Sequence, residues 1–211
     1  MINLKTIFYI VIFIFCGCTK AASAAKFYKN KLNHCKVTAP AINNYEPEEF
    51  WLSNNLLRAA GELPIYCGEK IIIKGRLLDQ KCSPISDAKI YMWQAGCDGK
   101  YPYLPLRNRV NKNLINTYNR STFKGSGVTT TNNLGEFLFI TIKPHTNLRQ
   151  SPYVSIRAKH HNLGELQTNL VLSSKHLIDI NQEIPSGQLF LEETDIYDFD
   201  VIMKGEALSS Y

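Results

Sequence analysis

The chain has 211 residues, of which 45% are hydrophobic, 20% charged and 11% aromatic, with only 12 Gly and 9 Pro. That length supports one ordinary core, and the composition excludes collagen, a coiled coil, extended disorder and a multi-span membrane protein. The formal net charge of +6 is spread out with no block of five like charges, so nothing in it points to a nucleic-acid surface.

The first residues read as an export leader. Lys5 precedes an unbroken apolar run over 7–16 that is too short to cross a bilayer, and small residues follow over 21–25. Ala22-Ser23-Ala24 is an A-x-A site, which places cleavage between Ala24 and Ala25. An alternative reading ends the leader at Gly17-Cys18 and leaves Cys18 as a lipid-bearing N-terminus. Either way the mature chain is expected outside the cytoplasm, periplasmic or secreted, and meets a membrane only through its leader or a lipid anchor.

Export changes the meaning of the cysteines. Loss of the leader removes Cys16 and Cys18 and leaves Cys35, Cys67, Cys82 and Cys97, an even number in an oxidising compartment. One or two disulfides are expected, with all three connectivities open. Losing Lys5 and Lys20 also leaves 22 basic residues against 18 acidic ones.

The remaining chain divides into an arm and helix over 25–66, a β-sandwich domain over 67–205 and a short tail over 206–211. A helix is expected over 47–60, with Pro47, Glu48 and Glu49 in its first turn, Leu52, Leu56 and Ala60 at four-residue spacing, and Gly61 as its stop. From Glu69 onward the period shifts to two. Ile71 and Ile73 alternate with Ile72, Lys74 and Arg76 in the first strand, and 88–95 makes the second. Residues 128–131 and 136–142, joined by Asn132-Asn133-Leu134-Gly135, read as a β-hairpin. Further strands are expected over 153–158 and 167–172. Short strands separated by turn residues predict a mainly β protein, an antiparallel sandwich with one N-terminal helix.

Two blocks carry a family resemblance. Residues 71–101, IIIKGRLLDQKCSPISDAKIYMWQAGCDGKY, resemble the opening of the core domain of intradiol ring-cleavage dioxygenases, with an Asp turn, a strand ending in Trp-Gln-Ala and a Gly-Lys-Tyr turn. Residues 123–144, FKGSGVTTTNNLGEFLFITIKP, resemble the same family's Phe-x-Gly-x-Gly segment and its strand closing in Thr-Ile-Lys-Pro. A weaker match is LQTNLVL over 166–172.

The resemblance implies a non-haem ferric ion, Fe(III), held by two Tyr and two His, and a catechol-type ring opened between its hydroxylated carbons with O2. Phenolates are hard anionic ligands suited to Fe(III), and neutral imidazoles complete the shell. Tyr103, in Tyr103-Leu104-Pro105, corresponds to the first Tyr ligand, with Tyr118 as its rival. The second Tyr is absent after Lys143-Pro144, where His145 stands, and none follows until Tyr153. The resemblance aligns Ser151-Pro152 with the family's Arg-Pro pair, which puts Val154 and Ile156 at its His-x-His positions. A rebuilt metal site would draw on Tyr103 or Tyr118, Tyr153 and His160, with Arg149 and Arg157 on the substrate side. Three functions follow from this reading. The chain is an exported intradiol-type dioxygenase, a non-catalytic sandwich that binds or interacts in the bacterial envelope, or a metalloprotein of other chemistry using His145, His160 or His161.

Overall fold

Ile71, Ile73 and Leu77 are fully buried while Lys74 and Arg76 face outward, and this alternation builds the central strand β1 (Lys70–Leu78). The computed structural model describes residues 34–118, 120–145, 151–178 and 194–207. In chain order the other strands are β2 (Lys89–Trp93), β3 (Ser126–Thr130), β4 (Glu136–Ile142), β5 (Tyr153–His160), β6 (Gly164–Val171) and β7 (Asp195–Ile202). They form a three-stranded sheet in the order β4-β1-β7 and a four-stranded sheet in the order β3-β2-β5-β6. Ile73, Phe139 and Val201 of the first sheet join Ile90, Met92, Val154 and Ile156 of the second in one apolar core. The mainly β sandwich expected from the period-two pattern is the fold observed.

Three details differ from the sequence reading. The segment over 47–60 is not a helix; the helical element among the described residues is one 3-10 turn, Lys112–Leu114. Its polar backbone finds partners in both sheets instead. The Leu56 amide donates to Ile140 O at 2.9 Å and the Ile140 amide to Asn54 O at 2.9 Å. On the other sheet the Val128 amide donates to Trp51 O at 3.1 Å. The segment is thus a strap across the neighbouring edges of β3 and β4, and its four-residue apolar spacing is broken, with Leu56 fully buried and Leu52 87% exposed.

The second difference lies at 132–135. Asn132 Oδ1 accepts the amides of Leu134 at 3.0 Å and Glu136 at 2.8 Å, so a tight turn forms as its residues predict. The strands it joins do not pair with each other. β3 pairs with β2 and β4 with β1, so the turn is an arch from one sheet to the other and not a hairpin. The third difference is β7, which had no counterpart in the sequence reading and runs parallel to β1.

Two disulfides, Cys35–Cys82 and Cys67–Cys97, resolve the three open connectivities into one. The buried Asp79 organises the turn after β1, where its carboxylate accepts the amides of Lys81 at 2.8 Å, Ser83 at 2.9 Å and Ala207 at 3.0 Å. That is the physical content of the Asp turn in the first family-like block.

Candidate functional site

The two faces of β2 and β5 differ in chemistry. Ile90, Met92, Val154, Ile156 and Ala158 point into the core and are fully buried. Tyr91, Trp93, Tyr153, Ser155 and Arg157 lie on the opposite face, where Tyr91 pairs with Arg157 and Trp93 with Ser155 across the strands.

The arm after Cys35 covers that outer face and brings its own polar groups. Asn43 is buried; its amide donates to Ser155 Oγ at 2.8 Å and to Tyr101 Oη at 3.4 Å, and the Ser155 hydroxyl donates to Asn169 Oδ1 at 2.8 Å. Glu46 forms an ion pair with Arg157, whose guanidinium lies over the ring of Tyr91 at 4.7 Å and that of Phe50 at 5.8 Å. The segment carrying Tyr101 and Tyr103 is bound to the arm by the Pro47–Pro105 bridge and by the Glu48 amide donating to Leu104 O at 2.9 Å. Tyr45 stacks on Tyr101 with ring centroids 4.4 Å apart and planes within 2° of parallel, and Tyr103 meets Tyr101 edge-on at 5.7 Å.

A cavity of about 350 Å³ opens at this end of the sheet, lined by Tyr45, Tyr101, Tyr153, Gln94, Asp98 and His145 among others. Gln94 is buried and bolts the two sheets together, its amide donating to Ile142 O at 2.8 Å and its oxygen accepting the Thr141 hydroxyl at 2.9 Å. His145 rests on the turn before Tyr101, its amide donating to Gly96 O at 3.1 Å. Gly99 in that turn has φ +76°, and a Cβ there would stand 3.2 Å from the His145 ring, so both conformation and space call for glycine.

Burial sets the protonation of the site. It pushes the Tyr101 phenol up to about 12, partly opposed by the hydrogen bond from Asn43. Tyr103 is pushed well above the ordinary tyrosine value, first by burial and then by Tyr101 and the Glu46 carboxylate. Both phenols are therefore neutral across the physiological range. The cavity offers a planar aromatic wall with hydroxyl, imidazole and carboxylate groups at its rim, a set suited to holding a small polar aromatic ring.

The residues expected to rebuild a metal site are not brought together. Tyr153 lines the cavity. Tyr103 is not among the lining residues, and its buried hydroxyl has no partner among the described residues. Tyr118 is 96% exposed beside a separate groove. His160 closes the other end of β5, seven residues or about 23 Å from Tyr153. It faces the core side, packs on His161 at 4.2 Å between ring centroids, and burial lowers its pKa. Arg157 is engaged by Glu46, and Arg149 lies outside the described residues, as do Cys18, Ala24 and Ala25. Asn43, Tyr45, Glu46 and Ser155 carry much of the site yet escaped the sequence reading. Their meeting depends on an arm docking against strands more than a hundred residues away, which no local pattern announces.

A family model described as Dioxygenase matches residues 45–162, and the chain belongs to the intradiol ring-cleavage dioxygenase family. Proteins named "Putative dioxygenase" in Rickettsia conorii and Rickettsia felis are each 44% identical over 194 residues, covering 90% of this chain and 92% of theirs. Among solved structures, an intradiol ring-cleavage dioxygenase from Tetranychus urticae matches with a TM-score of 0.56 at 14% identity, over 81% of this chain and 95% of that one, a likeness of fold.

The family's ferric ion does not fit the side chains described. Val154 and Ile156, which the resemblance aligns with the His-x-His positions, are fully buried hydrocarbon in the core, on the face of β5 opposite Ser155 and Arg157. Tyr103, which the resemblance sets as the counterpart of the first Tyr ligand, stands outside the cavity lining.

Proposed function

We propose that this chain is an exported, envelope-resident member of the intradiol family that binds a catechol-type aromatic in its tyrosine-lined cavity without the family's Fe(III) ring cleavage. The observation that carries this reading is the pair Val154 and Ile156, two apolar side chains sealed in the core at the positions that the resemblance aligns with the family's two imidazoles. The stacked pair Tyr45 and Tyr101 supports retention of an aromatic ligand. The leader-like first residues and the two disulfides support export, since such bonds persist in oxidising compartments.

A second reading, an exported non-haem iron dioxygenase cleaving a catechol-type ring with O2, is favoured by the family membership and by the names of the relatives. One experiment separates the two. The chain is produced by oxidative folding with iron supplied, and its iron content, visible spectrum and oxygen uptake with catechol are measured. The expected result is a colourless, iron-poor protein whose tyrosine fluorescence responds to catechol without oxygen uptake. One iron per chain with a broad tyrosinate-to-iron band and oxygen consumption would overturn the proposal in favour of the second reading.

A further inference from the structure

The loop between Tyr103 and Arg120 is the most conspicuous surface the site does not use. Leu104 is 60% exposed, Leu106 58% and Tyr118 96%, and they stand close together in the chain. Leu104 and Tyr118, with Pro105, Val110 and Ile115, border a groove of about 460 Å³, and Leu106 stands beside Arg107 outside its lining. Soluble surfaces scatter single apolar residues, but a cluster rimmed by charge marks a contact surface.

The charge around it is mostly positive. Between Asp98 and Glu136 the sequence contains no Asp or Glu, while Lys100, Arg107, Arg109, Lys112, Arg120 and Lys124 all fall within it. Arg107, Arg109 and Lys112 are exposed on the loop and form no ion pair among the described residues; Arg107 only donates to Asn44 Oδ1 at 3.1 Å. Glu48 is the one carboxylate that lines the groove.

We propose that this loop is a membrane-docking surface that seats on an anionic phospholipid face, with Leu104, Leu106 and Tyr118 entering the headgroup boundary and Arg107, Arg109 and Lys112 meeting lipid phosphates. Exposed leucines and a tyrosine flanked by unpaired cations are the combination by which peripheral proteins hold such a surface. An amphipathic protein partner would need acidic groups in register with scattered cations; a lipid surface supplies phosphates everywhere and asks for no register. The contact is separate from any leader or lipid anchor at the N-terminus and does not depend on the aromatic ligand.

The test places a reporter in the loop, because the apolar leader of the full chain partitions into vesicles by itself. The full chain carrying Tyr118→Trp is mixed with vesicles of brominated phosphatidylcholine alone or with phosphatidylglycerol added, and its fluorescence is compared with that of the unsubstituted chain. Quenching of the added indole is expected with the anionic vesicles only, and high salt should remove it. Neutralising Arg107, Arg109 and Lys112 together with alanine should weaken partition on the order of 100-fold, since each cation near an anionic leaflet contributes about five-fold. Far-UV circular dichroism checks that these exposed substitutions leave the sandwich folded. Equal quenching by both vesicle types, or quenching indifferent to the three alanines, would overturn the proposal. So would an absence of quenching with a fluorescence shift on an acidic amphipathic peptide, which would assign the surface to a protein partner.

Discussion

Tyr101 shows how one buried hydroxyl links the site to stability. Its phenol titrates near 12 in the folded chain against about 10 in an unfolded one, because burial penalises the phenolate. The sign follows directly. Below pH 10 both states keep the proton and the group is neutral in the balance, whereas between 10 and 12 the unfolded state releases it first and is favoured. Stability should therefore fall as pH rises through this window, by about 3 kcal/mol from this residue when the folded pKa is passed. Tyr101→Phe removes the titration and forfeits the long 3.4 Å contact to Asn43 and the hydrogen bond with Tyr153. The substituted chain is expected to match the native one at pH 8 in denaturant unfolding and to exceed it at pH 11. An unchanged difference between the two pH values would show that Tyr101 is not desolvated. The legible part of the site stops near this residue. Tyr101, Tyr103 and Tyr153 stand out as hydroxyl-bearing aromatics in the sequence, whereas Ser155 and Asn43 look like any other small polar residues until Asn43 is placed 2.8 Å from Ser155.

At the level of elements, the glycines of the Phe-x-Gly-x-Gly segment acquire a physical reason. Gly127 in β3 faces the strap, and a Cβ there would stand 2.3 Å from Ser53 O and 2.8 Å from a methyl of Leu56. Gly127→Ala must push the strap off the sheet edge, breaking the bonds from the Val128 amide to Trp51 and Ser53. A loss of about 2 kcal/mol in unfolding free energy is expected, with faster amide exchange at Val128 and Leu56; a cost below about 0.5 kcal/mol would mean that the strap is loosely held. The same strap explains why its sequence misleads. Pro47 and the early glutamates are good helix openers, but the backbone groups over 51–56 complete two otherwise bare edges, and that tertiary gain outweighs a marginal short helix. The turn at Asn132 reads equally well as a hairpin or an arch, since its local hydrogen bonds are the same in both and only the distant partners of β3 and β4 decide. β7 was hidden by Asp195, Asp198 and Asp200, residue types depleted in strands, although Tyr197, Phe199 and Val201 alternate toward the core beside them. β1, β2 and β5 were legible because their apolar period is long and uninterrupted.

At the scale of the whole molecule, each outer strand of the two sheets is met by irregular chain among the described residues. The strap covers β3 and β4, the arm reaches β6 through the Ala41 amide on Gln167 O at 2.9 Å, and residues 176–178 pair along β7. These covers are long excursions of irregular chain, and their ordering costs conformational entropy that the small core alone must offset. The two disulfides reduce that cost by restricting the unfolded chain, Cys35–Cys82 spanning 47 residues and Cys67–Cys97 spanning 30. Loop closure of these lengths corresponds to about 4 kcal/mol for each bond in the chain-entropy model. Cys35→Ala with Cys82→Ala, and separately Cys67→Ala with Cys97→Ala, should each lower the unfolding free energy by roughly that amount. Their local effects should differ. The first bond ties the arm to the turn after β1, and the arm keeps its second anchor where Glu46 meets Arg157. The second bond holds Cys97 in the turn where the Gly99 amide donates to Gly96 O at 3.1 Å and on which His145 rests, so its loss should speed amide exchange over 96–101 at the cavity rim. Equal exchange at that rim in both variants would mean that Cys67–Cys97 stabilises the fold without shaping the cavity.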